Sequence, residues 1–353
     1  MGGNAGGDKV QSSLAAFFLP AQAMTKSYRA ALCTALTGPD SVDIQDMESL
    51  PLSPGEVRIG VRAAGLNFPD VLMTYGRYQF RPDPPFVPGM EVAGVVLEIA
   101  PDVNNWAIGD RVMAGAKGGG LAEQLIVPAA AMRALPDALS FEEGACWHAA
   151  AITAWHALHD KAALQSGESI LILGASGGVG MAAVSLAKHK GALVIGTGST
   201  LEKRAAILSA GAGHALDPAD PELAATVKSL TGGKGADVVF DPVGGDLSIT
   251  ATRAIGWGGR YLIVGFASGT VPSFPANHAM IKGYSLIGLR AGESGRRDPT
   301  LAAASAAALS QLAELGIMRP HISHRFALSQ TADALRALEQ RAVIGRAVVI
   351  MDA

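Results

Sequence analysis

The chain has 353 residues, 49% of them hydrophobic and 17% charged, with 43 glycines, which is length enough for one or two packed cores and too little charge for disorder. Lys+Arg 28 against Asp+Glu 31 leaves a net charge of −3, and no dense run of cations interrupts the sequence, which argues against a nucleic-acid or anionic-membrane surface and points to a small-molecule partner. The two cysteines, Cys33 and Cys146, can build neither a disulfide framework nor a four-thiolate zinc lobe, and two scattered thiols fit a reducing cytoplasm.

In chain order, the run Leu14–Leu19 followed by Ala21-Gln22-Ala23 imitates a secretory signal. It is short, however, and its one flanking cation, Lys9, is offset by Asp8. Residues 1–27 are read as an N-terminal extension, with the natural start expected at Met24. From Tyr28 to Asp137 the pattern is short apolar runs broken by Gly and Pro: Val57–Val61, Val92–Leu97, Arg111–Ala114 and Glu123–Val127. Short strands separated by turns predict an irregular antiparallel β domain.

After Leu135-Pro136 the rhythm changes. The stretch Gly144–His159 is free of Asp, Glu, Lys and Arg but too short to span a membrane, and Ser169–Ala187, long enough, is interrupted by Gly174, Gly177, Gly178 and Gly180. From Glu168 onward strand-like runs at 170–173, 193–195, 214–216, 238–240, 261–264 and 285–289 alternate with helical patterns over 179–190, 201–210, 221–230 and 247–255. This alternation predicts an α/β fold with a doubly wound parallel sheet. Helical patterns at 300–315 and 329–342 and a strand-like run at 347–351 complete the chain.

The segment Gly174-Ala175-Ser176-Gly177-Gly178-Val179-Gly180 lies directly after an apolar strand and directly before a helix. A pyrophosphate needs backbone N–H groups with no Cβ in the way and the positive end of a helix, and this placement supplies both. Alone, such a turn could serve only tight packing; at the head of the alternation it points to a dinucleotide. An NAD site would place an acid at the end of the second strand to hold the ribose 2′-hydroxyl, and here the sequence runs Ile195-Gly196-Thr197-Gly198-Ser199-Thr200. Ser199, Lys203 and Arg204 stand where a 2′-phosphate would lie, which points to NADPH. The alternative for the two cations is the solvated face of the following helix.

Taken with Gly65–Asp70 (GLNFPD), Gly76-Arg77-Tyr78, Pro88–Glu91 (PGME), Gly109–Val112 (GDRV), Asp241–Gly245 (DPVGG) and Gly265–Gly269 (GFASG), the glycine loop resembles, in order over residues 28–351, the zinc-free quinone oxidoreductase branch of the medium-chain dehydrogenase/reductase superfamily. The resemblance implies a GroES-like catalytic domain over 28–138 and 292–353 and a Rossmann NADPH-binding domain over 139–291. It also implies a cleft between the two and commonly a homodimer joined at the Rossmann sheet edges. It implies no metal: the zinc enzymes of the superfamily carry Cys where this chain has Asn67 and His where it has Met90, and an amide and a thioether are poor replacements. His156 and His159, three apart, lack further ligands nearby.

The expected cofactor contacts are Ala175, Ser176, Gly177, Gly178, Val179, Gly180, Ser199, Lys203 and Arg204, with Val243, Gly244, Gly265, Phe266 and Ala267 at the nicotinamide. Tyr78 resembles the proton-donating tyrosine of related enoyl reductases; a packed aromatic beside Tyr75 and Phe80 is the alternative. Asn67 would donate a hydrogen bond to substrate or cofactor, or hold its turn. Where many relatives have Tyr, this chain has Ala151, so their substrate preference does not transfer. The expected activity is hydride transfer from NADPH to a quinone or to the C=C of an α,β-unsaturated carbonyl compound. The rival is an NADPH-binding protein with little turnover, crystallin-like or regulatory.

Overall fold

A computed structural model describes residues 27–351; the signal-like run and the expected start at Met24 lie outside them. Six strands form one parallel sheet in the spatial order His214–Leu216, Leu193–Thr197, Ser169–Ile172, Ala236–Asp241, Ile255–Ile263, Ser285–Gly288. In the first strand Ile170 and Ile172 pack into the cluster on one face, and Leu171 with the adjoining Leu173 into the cluster on the other. Helices cover both faces, and this is why the strand reads as an unbroken apolar run with no alternation. The helices Gly178–His189, Leu201–Ser209, Leu223–Leu230 and Gly245–Ala254 fall at the predicted places.

A second, 7-stranded sheet has the order Ile322–Ala327, Arg346–Ile350, Glu56–Gly65, Glu91–Ile99, Arg111–Gly115, Met132–Ala134, with Gln124–Pro128 also paired to Glu56–Gly65. All its pairings are antiparallel except the first, where Ile322–Ala327 runs parallel to Arg346–Ile350. Val57, Ile59 and Val61 fill its core, and Arg58 between them is buried as well, its charge met by Glu98 at 2.9 Å. A separate hairpin, Ser27–Cys33 with Val42–Glu48, closes one side.

The helix Phe141–Trp155 joins the two sheets. Its start is a capping box, Ser140 accepting from the Glu143 N–H at 3.2 Å and Glu143 accepting from the Ser140 N–H at 2.9 Å. Its flank packs on the strands Glu56–Gly65 and Glu91–Ile99 and on the helix Gly178–His189. The sequence put the return to the GroES-like domain at residue 292. The helix Pro299–Glu314, however, buries Leu309, Leu312 and Ala313 in the cluster shared with Phe141–Trp155 and Gly178–His189, and the Met318 N–H donates to Ser185 Oγ at 3.1 Å. We place the return at Ile322, where the chain re-enters the antiparallel sheet.

The joining helix lies against the sheet at Gly65, where a Cβ would lie 1.9 Å from the Ala145 carbonyl oxygen. Backbone on both sides leaves no flexible side chain to yield. Gly65→Ala is expected to cost at least about 2 kcal/mol by overpacking, read as a lowered denaturant midpoint at unchanged slope; a loss under about 0.5 kcal/mol would show that the helix lifts off freely.

Candidate functional site

The strand Ser169–Ile172 runs into the glycine loop with Gly174 at φ +55°, its N–H donating to Thr197 Oγ1 at 3.0 Å. Ala175 is buried and its N–H reaches the Thr197 carbonyl at 3.0 Å, which ties the loop to the second strand. At Gly180 a Cβ would stand 2.5 Å from the Gly174 carbonyl oxygen, so the helix can seat against the loop only without one. The helix Gly178–His189 begins at Gly177 with no side-chain cap. The N–H groups of Val179 and Gly180 therefore have neither an intrahelical acceptor nor a capping oxygen, while the turn at Gly177 bridges to Gly345; two such donors at a helix start are what an anion requires.

Over this loop lies the last strand of the other sheet. The Gly345 N–H donates to the Ser176 carbonyl at 2.7 Å, and a Cβ on Gly178 would fall 2.4 Å from Arg346 Cδ. Arg346 is 5% exposed and continues into a buried polar cluster. Its Nη2 meets Glu91 Oε2 at 2.8 Å and its Nη1 donates to Asn67 Oδ1 at 2.6 Å, while Nε has no partner. The other Glu91 oxygen accepts from the Ala149 N–H at 2.7 Å. Asn67 is the N-cap of the helix Phe68–Thr74; Asp70 in that first turn accepts from the Asn67 N–H at 2.8 Å and from the Gly89 N–H at 3.1 Å. Burial pushes the Asp70 carboxyl up to about 7, against the pull of those N–H groups and of Arg346, and burial likewise raises Glu91.

The guanidinium can only donate, so it dictates which way the Asn67 amide points: oxygen to Arg346, nitrogen away. Asn67 Nδ2 makes only long contacts, 3.4 Å each, to the Gly65 carbonyl and Glu91. Asn67 lines a cavity of about 120 Å³ together with Met90, Glu91, Met113, Arg133, His148 and Ala149.

These walls do not suit zinc. Met90 offers a thioether, Ala149 nothing, and the oxygens of Asn67 and Glu91 are held by Arg346 and the Ala149 N–H, which leaves His148 as the one unengaged donor. Among the described residues no group of three or more His, Cys, Asp or Glu is arranged to hold a metal ion. His156 shares a hydrogen bond with Asp160 at 2.7 Å, and His159 stacks on Trp155 with ring centroids 4.2 Å apart. Both cysteines are buried and free.

At the end of the second strand the sequence-predicted cations part company. Arg204 is held by Asp217 at 3.0 Å and by the Gly198 carbonyl at 2.7 Å. Lys203 instead reaches across to the Arg341 carbonyl at 2.8 Å. Arg341, exposed and at φ +57°, donates to the Ala267 carbonyl at 3.2 Å. Ser199 is exposed beside them. Sequence reasoning missed Arg341 because 138 residues separate it from Lys203.

Opposite the glycine loop, Asp241 shapes the second turn. Its Oδ1 accepts from the Val243 and Gly244 N–H groups at 2.8 and 3.0 Å, and its Oδ2 from the Tyr261 hydroxyl at 2.8 Å. The Gly265 N–H donates to the Asp241 carbonyl at 3.2 Å and the Ala267 N–H to the Pro242 carbonyl at 3.0 Å, with Phe266 half-exposed between. Tyr78 does not line the cavity. It is half-buried in the loop after Phe68–Thr74, its hydroxyl without a partner among the described residues, and its neighbour Gln79 accepts from Arg290 of the Rossmann side at 2.8 Å. The loop thus reaches across the cleft.

Comparison with known proteins matches residues 53–137 to a family model described as an alcohol dehydrogenase GroES-like domain and residues 178–309 to one described as zinc-binding dehydrogenase. A quinone oxidoreductase-like protein 2 homolog of Nematostella vectensis is 37% identical over 92% of this chain and 89% of its own length. Among solved structures, a quinone oxidoreductase of Pseudomonas syringae pv. Tomato DC3000 is 30% identical with a TM-score of 0.83, covering 92% of this chain and 99% of its own. A mycobacterial protein complexed with NADPH is 28% identical with a TM-score of 0.84 over the same shares.

Proposed function

Because the chain belongs to the quinone oxidoreductase branch of the medium-chain dehydrogenase/reductase superfamily, we propose that it is an NADPH-dependent reductase of quinones or of α,β-unsaturated carbonyl compounds that works without a metal. The observation that carries this reading is the junction of two features at Arg346: a glycine loop with no side-chain cap beneath it and, beside it, a cavity lined by the Asn67 amide. The loop would hold the pyrophosphate, with Val243, Gly244, Gly265, Phe266 and Ala267 beside the nicotinamide. The mycobacterial neighbour bound to NADPH supports the same choice of cofactor.

The bound cofactor supplies hydride. For an enone, the hydride pair adds to the β-carbon, the C=C pair moves toward the carbonyl oxygen, and a proton completes the α-carbon. Asn67 Nδ2, freed by the fixed orientation of its amide, donates to that oxygen as charge builds on it. Tyr78, on the loop that crosses the cleft, brings the proton. A quinone takes its protons on oxygen and draws them from water.

At the far end of the cofactor, Ser199, Lys203 and Arg341 receive the 2′-phosphate, since no acid ends the second strand. The exposed edge strand Ser285–Gly288 and the apolar residues Trp257, Met280, Ile281 and Leu286 near it favour a homodimer across this edge.

The first test is steady-state kinetics on protein treated with a chelator. NADPH should outperform NADH, and Lys203→Ala or Arg341→Ala should raise the NADPH KM about tenfold to a hundredfold, roughly 1–3 kcal/mol of charge-assisted bonding. Arg204→Ala should change it little. Equal kcat/KM for the two cofactors, or activity that dies with chelation, would overturn the assignment. Tyr78→Phe should lower kcat for enones by about 10²–10⁴-fold with quinone reduction largely spared; an equal loss on both acceptors would make Tyr78 a packing residue. In sedimentation the wild type should run as a dimer and Met280→Asp with Leu286→Glu as a monomer, and a monomeric wild type would remove the edge-strand contact.

A further inference from the structure

Arg133 is left over once the ion pairs of the described residues are assigned. It lies on the short strand Met132–Ala134, opposite Met113, half-buried, with no carboxylate within ion-pair distance among the described residues. Burial pulls its guanidinium below the ordinary value. A cation taken partly out of water without a counter-ion is costly, and such groups are ordinarily paired.

Its position gives the cost a use. Arg133, Met113 and His148 line the 120 Å³ cavity that holds Asn67, and the same three line a second cavity of about 80 Å³, bounded by Trp147 and by Leu309 and Ser310 of the helix Pro299–Glu314. The only acid in the first wall, Glu91, is already turned to Arg346 and the Ala149 N–H. Beside Arg133, the Nδ1 of His148 is buried and without a partner, as is Trp147 Nε1. Burial and the neighbouring Arg133 push the His148 imidazole down to about 3, so it is neutral at pH 7, and one tautomer carries a hydrogen on Nδ1.

We propose that the acceptor carries a carboxylate, seated between Arg133 and His148, which line both cavities, while its reducible end faces Asn67. One guanidinium beside a neutral imidazole and an indole N–H balances a monoanion; a phosphate dianion would remain half uncompensated. This names the substrate class within the reductase reading and rests on it.

The test compares 4-oxohex-5-enoate with its methyl ester; two methylenes insulate the carboxyl from the enone, so the pair differ in charge and hardly in reactivity. The wild type should show a KM about 10- to 100-fold lower for the acid. Arg133→Met should erase that preference by raising the KM of the acid alone, and Arg133→Lys should keep part of it. A wild type that favours the ester, or an Arg133→Met variant that weakens acid and ester equally, would overturn the proposal. Binding separates this proposal from the reductase reading. Titration calorimetry of saturated 4-oxopentanoate into the NADPH-loaded protein should give heat with wild type and none with Arg133→Met, even if neither enone is reduced. No binding to the wild type would overturn the carboxylate seat while leaving reduction of neutral acceptors intact.

Discussion

Arg346 and Glu91, 2.8 Å apart and almost wholly out of water, are the pair around which the rest of the molecule is arranged. Such a pair yields little net stability, because stripping water from two charges offsets most of their attraction. It is instead unforgiving of displacement, since moving either partner leaves a bare charge in the interior. Three elements inherit that precision: the N-cap at Asn67, the backbone of the joining helix at Ala149, and the helix start at Gly178. The glycine loop and the cavity at Asn67 belong to different sheets and are separated widely along the chain. They face each other at a defined distance because one side chain touches both.

The architecture was legible wherever its signal was local. The Rossmann alternation announced itself in runs such as Ile170–Leu173, whose residues are apolar on both faces, and the glycine loop in its place between strand and helix. The hairpin Ser27–Cys33 with Val42–Glu48 and the strand Ile322–Ala327 were not read. The latter alternates half-buried and exposed positions at a sheet edge, but His324 stands on the inner face, so the apolar signal there is only Ile322 and Phe326.

At the site the division is the same. Asn67 and the loop glycines could be found from motifs, but Arg346 could not, because its partners are 255 and 279 residues away. A signal for it did exist: a lone cation opening the apolar run Ala347–Met351 is anomalous unless something buried pairs with it. The same reasoning applies to Glu91 ahead of Val92–Leu97. Lys203 and Arg204 show the opposite limit. Adjacent in sequence and alike in charge, they face different partners because successive helix positions point about 100° apart.

The strand Arg346–Ile350 sits inside its sheet, between Glu56–Gly65 and Ile322–Ala327, although it follows the whole parallel-sheet half in the sequence. During synthesis the GroES-like sheet emerges first and then waits, with the flank of Glu56–Gly65 unpaired, while the entire nucleotide-binding half is made and able to fold. Of the two domains, the one begun earlier is thus the one completed later, and its closing strand brings Arg346 with it. Completion of the sheet and assembly of the catalytic cleft become a single late event, so a chain truncated before residue 346 would lack both, however well its parallel sheet had formed.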